Sequence, residues 1–208
     1  MADDMPGAAR PVTLDALRAL AHPLRVELFS ALTSFGPATA SALAARLGES
    51  SGATSYHLRQ LERHGFVRED TSRGNGRDRW WERVPGPIEL FTPQIAETEA
   101  GRAAGDLVEA EFHRIANQRF ADYWRAHADF GADWQAAVQT TTANLLLSPD
   151  ELARLGVEFD ALIHRYRHLH ETGTEKSLRR VDVHFRAFPV VDTAAHTTDP
   201  ASPEEAQS

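Results

Sequence analysis

The sequence contains no cysteine among its 208 residues. This absence excludes disulfide bonds, thiolate metal ligands and cysteine nucleophiles together. No apolar run approaches the roughly 20 residues that a membrane-spanning helix needs, and the acidic N-terminus lacks the apolar core of a signal peptide. Lysine is almost absent, because Lys176 is the only lysine among 22 basic residues. We therefore expect a cytoplasmic protein without membrane contact, in which arginine supplies the positive charge.

The charge is unevenly distributed along the chain. Residues 13–84 carry ten arginines against eight acidic residues, whereas residues 85–208 carry eleven basic against twenty acidic residues. The whole chain has a net charge of −8. An acidic protein is a poor nonspecific binder of polyanions, but a mildly basic first part is compatible with one surface that faces DNA.

Three helices are predicted in the first part of the chain. Residues 13–21 and 23–34 place leucines at helical spacing, and Thr13 is a plausible N-cap of the first. Residues 38–47 form a short alanine-rich helix. The connection that follows, residues 48–50, has about the three-residue length of the turn in a helix-turn-helix pair.

The next segment, residues 50–67, predicts a helix with two different faces. Thr54, Leu58 and Leu61 recur at helical spacing and share a buried face. Gly65 is placed to end the helix. The opposite face carries side chains that can hydrogen-bond a phosphate or a base edge: Ser51, Ser55, Tyr56, Arg59 and Gln60. Such a helix suits insertion into the major groove of DNA.

A hairpin follows this helix. Residues 66–70 and 79–84 read as strands, and residues 71–77 form a polar, glycine-rich tip. Three arginines lie at or beside the tip: Arg73, Arg77 and Arg79. Guanidinium groups next to a recognition helix can bind phosphates or a minor groove. The alternative is a solvated hairpin whose arginines only maintain solubility.

These segments together resemble a known family. The stretches ALAHPLRVELFSAL, ATASALAARLG, SSGATSYHLRQLERHGFV and RGNGRDRWWE look like a winged helix-turn-helix of the arsenic-repressor (ArsR-like) type. The resemblance covers residues 13–84, about a third of the chain. It implies a dimeric transcriptional regulator that reads an imperfect inverted repeat. Carried over residue by residue, it implies recognition positions at Ser51, Gly52, Ser55, Tyr56 and Arg59. His57 lies between the two faces, which favours packing or phosphate contact over base reading.

The chain departs from the metal-sensing members of that family. Its third helix has no cysteine, so we expect no cysteine-based metal sensing and no cofactor. The nearest carboxylate and histidine pairs have the wrong spacing for a copied metal site: Glu111 with His113, and His127 with Asp129. A later cluster is better explained as a solvated or partly packed helix face: His164, His168 and His170.

A long helix is predicted over residues 93–128, interrupted in propensity only by Gly101 and Gly105. It carries an aromatic-rich stripe: Phe112, Ile115, Phe120, Tyr123 and Trp124. A helix of this length extends roughly 50 Å, too long for the rest of this small chain to cover. We expect a second copy of the chain to cover it, forming a homodimer. A pocket for a small apolar effector, lined by the same aromatics, is the alternative.

The C-terminal part reads as a small α+β appendage. Residues 138–147 are threonine-rich and strand-like, and residues 180–188 alternate between apolar and polar. Between them, Ser148 and Glu151 form a capping-box pattern that opens a helix reaching about residue 171.

The expected fold class is mainly α with small β. A disordered tail at 1–12 precedes a winged helix-turn-helix domain at 13–86, a dimerisation and candidate effector region at 87–191, and a disordered tail at 192–208. No catalytic motif is recognisable, so we do not expect an enzyme. The function indicated is sequence-specific binding of double-stranded DNA. The alternative is a winged helix that binds another protein.

Overall fold

The structure is a computed structural model that describes residues 9–73, 79–169 and 178–191. The expectations for Arg77, His170 and the side chain of His168 lie outside these residues, as do those for residues 1–8 and 192–208. The chain divides into two compact units. Unit 1 comprises residues 1–142 and 174–182, and unit 2 comprises residues 143–173 and 183–208.

The first four helices of unit 1 confirm the predicted helical pattern. They are α1 (Leu14–Leu20), α2 (Pro23–Phe35), α3 (Ala40–Leu47) and α4 (Ser51–Arg63). The side chains of Thr13, Thr39 and Ser50 accept hydrogen bonds from the first turns of α1, α3 and α4, which satisfies backbone donors that a helix start leaves unpaired. Gly48 adopts φ +71° at the end of α3, and this left-handed conformation turns the chain into α4.

The core lies where α1, α2 and α4 meet. Leu17, Leu28 and Leu58 are fully buried there, and Phe66 and Trp81 close it from the hairpin side. Each such side chain stabilises the fold by about 1.5–3 kcal/mol relative to its exposed state. α4 therefore packs against the core through only one of its faces.

Two small sheets complete the domain. β2 (Ala38–Thr39), β3 (Val67–Glu69) and β4 (Trp80–Arg83) form an antiparallel sheet in the order β2-β4-β3. The two predicted strands of the wing are therefore paired, although the first two residues of the predicted third helix belong to β2.

The second sheet corrects the prediction for the N-terminal tail. β1 (Arg10–Pro11) pairs in parallel with β5 (Ile88–Glu89), and Val12 is buried in the core. Arg10 also donates a hydrogen bond of 2.8 Å to the carbonyl of Gly65. The expectation of a disordered tail is thus wrong for residues 10–12, because their pairing with β5 is a non-local contact that the local composition does not reveal.

The predicted long helix is divided in two. α5 (Pro93–Ala96) and α6 (Glu99–Ala126) are separate helices, capped by Thr92 and Thr98, and a 3-10 turn at His127–Asp129 follows α6. α6 packs against α1 and α2. No helix within the described ranges combines the length and the apolar character that a bilayer span requires.

The C-terminal part keeps its predicted helix but not its predicted strands. In unit 1, α7 (Ala132–Ala137) follows α6. In unit 2, α8 (Pro149–His168) starts with the complete Ser148–Glu151 capping box. Residues 138–147 and 180–188 form no strand. The strand prediction is wrong here because β-propensity becomes a strand only with a partner strand, and none pairs with either segment among the described residues.

Candidate DNA-binding surface

The outward face of α4 is composed almost entirely of polar and aromatic groups. Thr54, Leu58 and Leu61 are fully buried, so they fix the rotation of the helix about its axis. The side that this rotation leaves outward has Ser51, Gly52, Tyr56 and Arg59 exposed, with Ser55 and Gln60 half-buried beside them. Tyr56 is 57% exposed. All six predicted recognition residues are therefore on one accessible surface.

This surface has groups with unsatisfied binding capacity. Arg59 makes no hydrogen bond or ion pair with any other described residue, and its guanidinium presents five donors. A Cβ added to Gly52 would have no atom within 4 Å, so the backbone of the first turn is open to close approach. The edge of a base pair carries acceptor groups and can approach both Arg59 and the backbone at Gly52.

His57 lies on the side of α4 that faces α2. Its ring is half-buried, and the ring centroid is 4.5 Å from that of His22, the N-cap residue of α2. Burial is the largest cause that lowers the pKa of His57, and electrostatic interactions with His22 and Arg25 lower it further. Sequence reasoning left out His22 and Arg25. The HPLR stretch that contains them was the available signal.

The arginines of the wing are paired with carboxylates of the same hairpin. The pairs are Arg68 with Glu82 at 2.6 Å, Arg73 with Asp70 at 2.9 Å and Arg79 with Glu69 at 3.2 Å. The predicted wing residues Arg73 and Arg79 are thus brought together with acidic partners that the sequence analysis did not consider, while Arg77 lies outside the described residues. Their positive charge is partly compensated before any ligand approaches.

Asp70 organises the base of the wing. Its carboxylate accepts hydrogen bonds from the side chain of Ser72 at 2.5 Å and from the backbone N–H of Ser72 at 3.0 Å. The hydrogen bond from the Ser72 hydroxyl is the largest cause that lowers the pKa of Asp70, and Arg73 adds to it. Asp70 therefore stays ionised and holds both the turn and Arg73.

The predicted dimerisation residues occupy two environments. Phe112 and Ile115 are partly buried against the core of their own chain. Tyr123 is half-buried, whereas Phe120 and Trp124 are 49% and 47% exposed. The last two rings meet edge to face at 6.0 Å, which leaves a local apolar patch near the C-terminal end of α6.

The candidate metal ligands on α6 have other partners. Glu111 is buried and paired with Arg114, which also pairs with Glu27 of α2. These hydrogen bonds, led by the one to Glu111, raise the pKa of Arg114. His113 lies 3.7 Å from Glu109. Within the described part of the chain, no three histidine or acidic side chains are grouped closely enough to hold a metal ion.

Comparison with known proteins identifies the domain that carries α4. Residues 20–70 match the family model described as "Helix-turn-helix domain". This match spans α2, α3, α4 and β3. The chain thus carries a helix-turn-helix domain, the class of domain that DNA-binding transcriptional regulators use.

Two solved structures are similar to parts of the chain. One is a possible transcriptional regulator for arsenical resistance, which is 32% identical over 53% of this chain and 97% of that chain, with a TM-score of 0.31. The other is a mutant of Lactococcus lactis ZitR in apo form, which is 14% identical over 73% of this chain and 82% of that chain, with a TM-score of 0.26. No curated protein matches the chain.

Proposed function

We propose that the protein is a sequence-specific transcriptional regulator that binds an inverted-repeat operator as a homodimer. The observation that carries this proposal is that α4 has two different faces. Thr54, Leu58 and Leu61 are buried on one face, and the exposed face is polar. The match of residues 20–70 to a helix-turn-helix domain supports it. The protein would act in the cytoplasm, where its DNA is accessible.

In the proposed complex, each protomer inserts α4 into the major groove. The two copies of α4 contact successive major-groove segments about 34 Å apart. Bases and adjacent phosphates are contacted by Ser51, Gly52, Ser55, Tyr56, Arg59 and Gln60. Arg59 is the strongest candidate for base reading, because it is exposed and unpaired among the described residues and can bond a guanine edge through two donors. The wing would contact the flanking backbone through Arg73, Arg77 and Arg79.

The proposed dimer uses α6. Phe120 and Trp124 expose about half of their surfaces, and large aromatic side chains dominate the energetics of interfaces. Phe112, Ile115 and Tyr123 would extend the contact along the helix from their half-buried positions. We propose a second copy of the chain as the partner, because the two half-sites of an inverted repeat require two identical recognition helices.

Binding selection from a random duplex library tests this function. Immobilised full-length protein should enrich an inverted repeat whose half-sites lie about 10 base pairs apart. A library that remains random after several rounds would contradict operator reading and would favour the alternative, a winged helix that binds another protein. A thermal-shift screen with metal salts and apolar compounds would then test for the small effector, which would not bind through thiolates because the chain has no cysteine.

A further inference from the structure

A cluster of two histidines, one arginine and one tyrosine lies where α2 meets α4. It consists of His22, Arg25, Tyr56 and His57, which we call the His22–His57 cluster. The two histidine rings are 4.5 Å apart, and the ring of Tyr56 is 5.1 Å from that of His57. The cluster therefore joins the start of α2 to the edge of the exposed face of α4.

The cluster has buried polar atoms without partners. Nδ1 of His22, Nδ1 of His57 and Nε of Arg25 are inaccessible to solvent and have no hydrogen-bond partner among the described residues. A buried polar atom without a partner is unfavourable, so hydrogen bonds within the described residues do not satisfy these side chains. Because the three side chains are only half-buried, a turn of each side chain toward the surface would let a bound acceptor satisfy them.

The charges around the cluster favour an anionic acceptor. No described carboxylate lies within ion-pair distance of His22, Arg25 or His57. Glu49, in the turn before α4, is the one acidic group that acts on His57, and its effect is the smallest. Burial lowers the pKa of Arg25 as well, with Tyr56 opposing. The cluster thus places the guanidinium of Arg25 beside two imidazole rings, with no described carboxylate in ion-pair distance.

We propose that His22, Arg25 and His57 bind one phosphodiester group of duplex DNA, and that the site takes up a proton from solvent when the phosphate binds. This inference rests on the proposed function. In the free protein the lowered pKa of His57 keeps its ring neutral near pH 7. A phosphate placed beside the rings favours the charged imidazolium, so binding and protonation support each other.

The site therefore makes DNA binding depend on pH. Affinity should rise as pH falls from about 8 to about 6, by roughly three- to tenfold for one proton taken up. Since phosphate contacts are independent of sequence, the effect should be the same for a selected operator and for a scrambled duplex. A hydrogen-bonding role confined to the protein would give no such linkage.

Fluorescence anisotropy of full-length wild type, His57→Gln and His64→Gln on both duplexes, at constant ionic strength, tests this linkage. His64 is a matched control, because it is also half-buried and caps the far end of α4. Wild type and His64→Gln should show the full pH effect, and a folded His57→Gln should lose most of it. An equal pH effect in all three proteins would overturn the phosphate site.

Nitrogen-detected NMR of the histidine rings in wild type gives a second test that needs no variant. The ring of His57 should change from neutral to protonated at about pH 7 when either duplex is added, and an unchanged ring in a protein that binds DNA would also overturn the proposal. If wild type binds neither duplex at either pH, the proposed function itself fails. The two failures are therefore distinguishable.

Discussion

Gly101 has no room for a side chain, because α5 and α6 approach each other closely at this residue. A Cβ at Gly101 would lie 2.0 Å from the carbonyl oxygen of Ile95 and 2.7 Å from Oγ1 of Thr98, which caps α6. At Gly105, one turn later, the nearest atom would be in the ring of Phe91 at 3.2 Å. A backbone carbonyl cannot move aside as an exposed ring can. Gly105 should therefore tolerate an added side chain better than Gly101 does.

Gly101→Ala should therefore destabilise the protein, whereas Gly105→Ala should not. We expect Gly101→Ala to lower the free energy of unfolding by about 1–3 kcal/mol through overpacking. In Gly105→Ala, the better helix propensity of alanine, up to about 1 kcal/mol, should offset the displacement of Phe91. Urea denaturation of both variants measures the difference, and equal stabilities would contradict the close approach of α5 to α6.

Gly52 presents the opposite situation, because nothing in the protein occupies the space of its absent side chain. Gly52→Ala should raise the free energy of unfolding by up to about 1 kcal/mol and yet weaken operator binding roughly tenfold, since the added methyl group meets DNA. Gly156 of α8 also has open space around it, so Gly156→Ala is the matched control, with higher stability and unchanged affinity. A Gly52→Ala protein that binds the operator as wild type does would remove α4's first turn from the proposed interface.

At the scale of elements, the wing differs from a simple basic clamp. Three of its arginines, Arg68, Arg73 and Arg79, are each paired with a carboxylate on the same hairpin. Exposed pairs of this kind contribute only about 0–1 kcal/mol to stability, so their larger effect is on the potential that DNA meets. An arginine that must be shared with a carboxylate attracts phosphate less strongly than a free one.

Glu69→Gln should therefore strengthen nonspecific DNA binding. Freeing Arg79 from its partner is expected to raise affinity for a scrambled duplex roughly threefold and to steepen the salt dependence by up to about one unit. Glu158→Gln, on an exposed position of α8, changes the net charge equally and is the control. If both variants gain affinity to the same extent in a salt titration, the gain reflects net charge and the wing is not in contact.

The elements that could be predicted from the sequence are those with local signals. Thr13, Ser50 and Ser148 cap the starts of helices in the structure. The helical spacing of the buried leucines of α4 identifies its inward face. The break between α5 and α6 also had local signals, because Thr92 and Thr98 cap the two helices. The pairing of β1 with β5 and the contact of His22 with His57 join residues distant in sequence. No local pattern reports such contacts.

At the scale of the whole molecule, reading two half-sites of an inverted repeat would need two copies of the chain. The patch formed by Phe120 and Trp124 lies on α6, the helix that packs against α1 and α2 of the helix-turn-helix unit. An interface on α6 would thus be built on the same rigid core that holds α4. The spacing between two recognition helices would then be fixed by packing.

Replacing Phe120 and Trp124 together by serine should separate the dimer while the fold is kept, because both side chains are about half exposed in the single chain. Sedimentation equilibrium should report a monomer, and operator affinity should fall at least tenfold as the second half-site is lost. Val157→Ser, at an exposed apolar position of α8, serves as the control. Dissociation by Val157→Ser alone would place the interface on unit 2.

If the outward face of α4 reads base sequence, the Arg59→Ala variant should lose operator affinity selectively. Affinities of wild type, Arg59→Ala and the α8 control Arg154→Ala are measured on the selected operator and on a scrambled duplex at one salt concentration. Loss of a base contact costs about 1–3 kcal/mol, so Arg59→Ala should lose roughly ten- to a hundredfold on the operator and far less on the scrambled duplex, with Arg154→Ala unchanged on both. Equal losses on the two duplexes would show that Arg59 contacts only phosphate, and no loss on either would contradict the recognition role of α4.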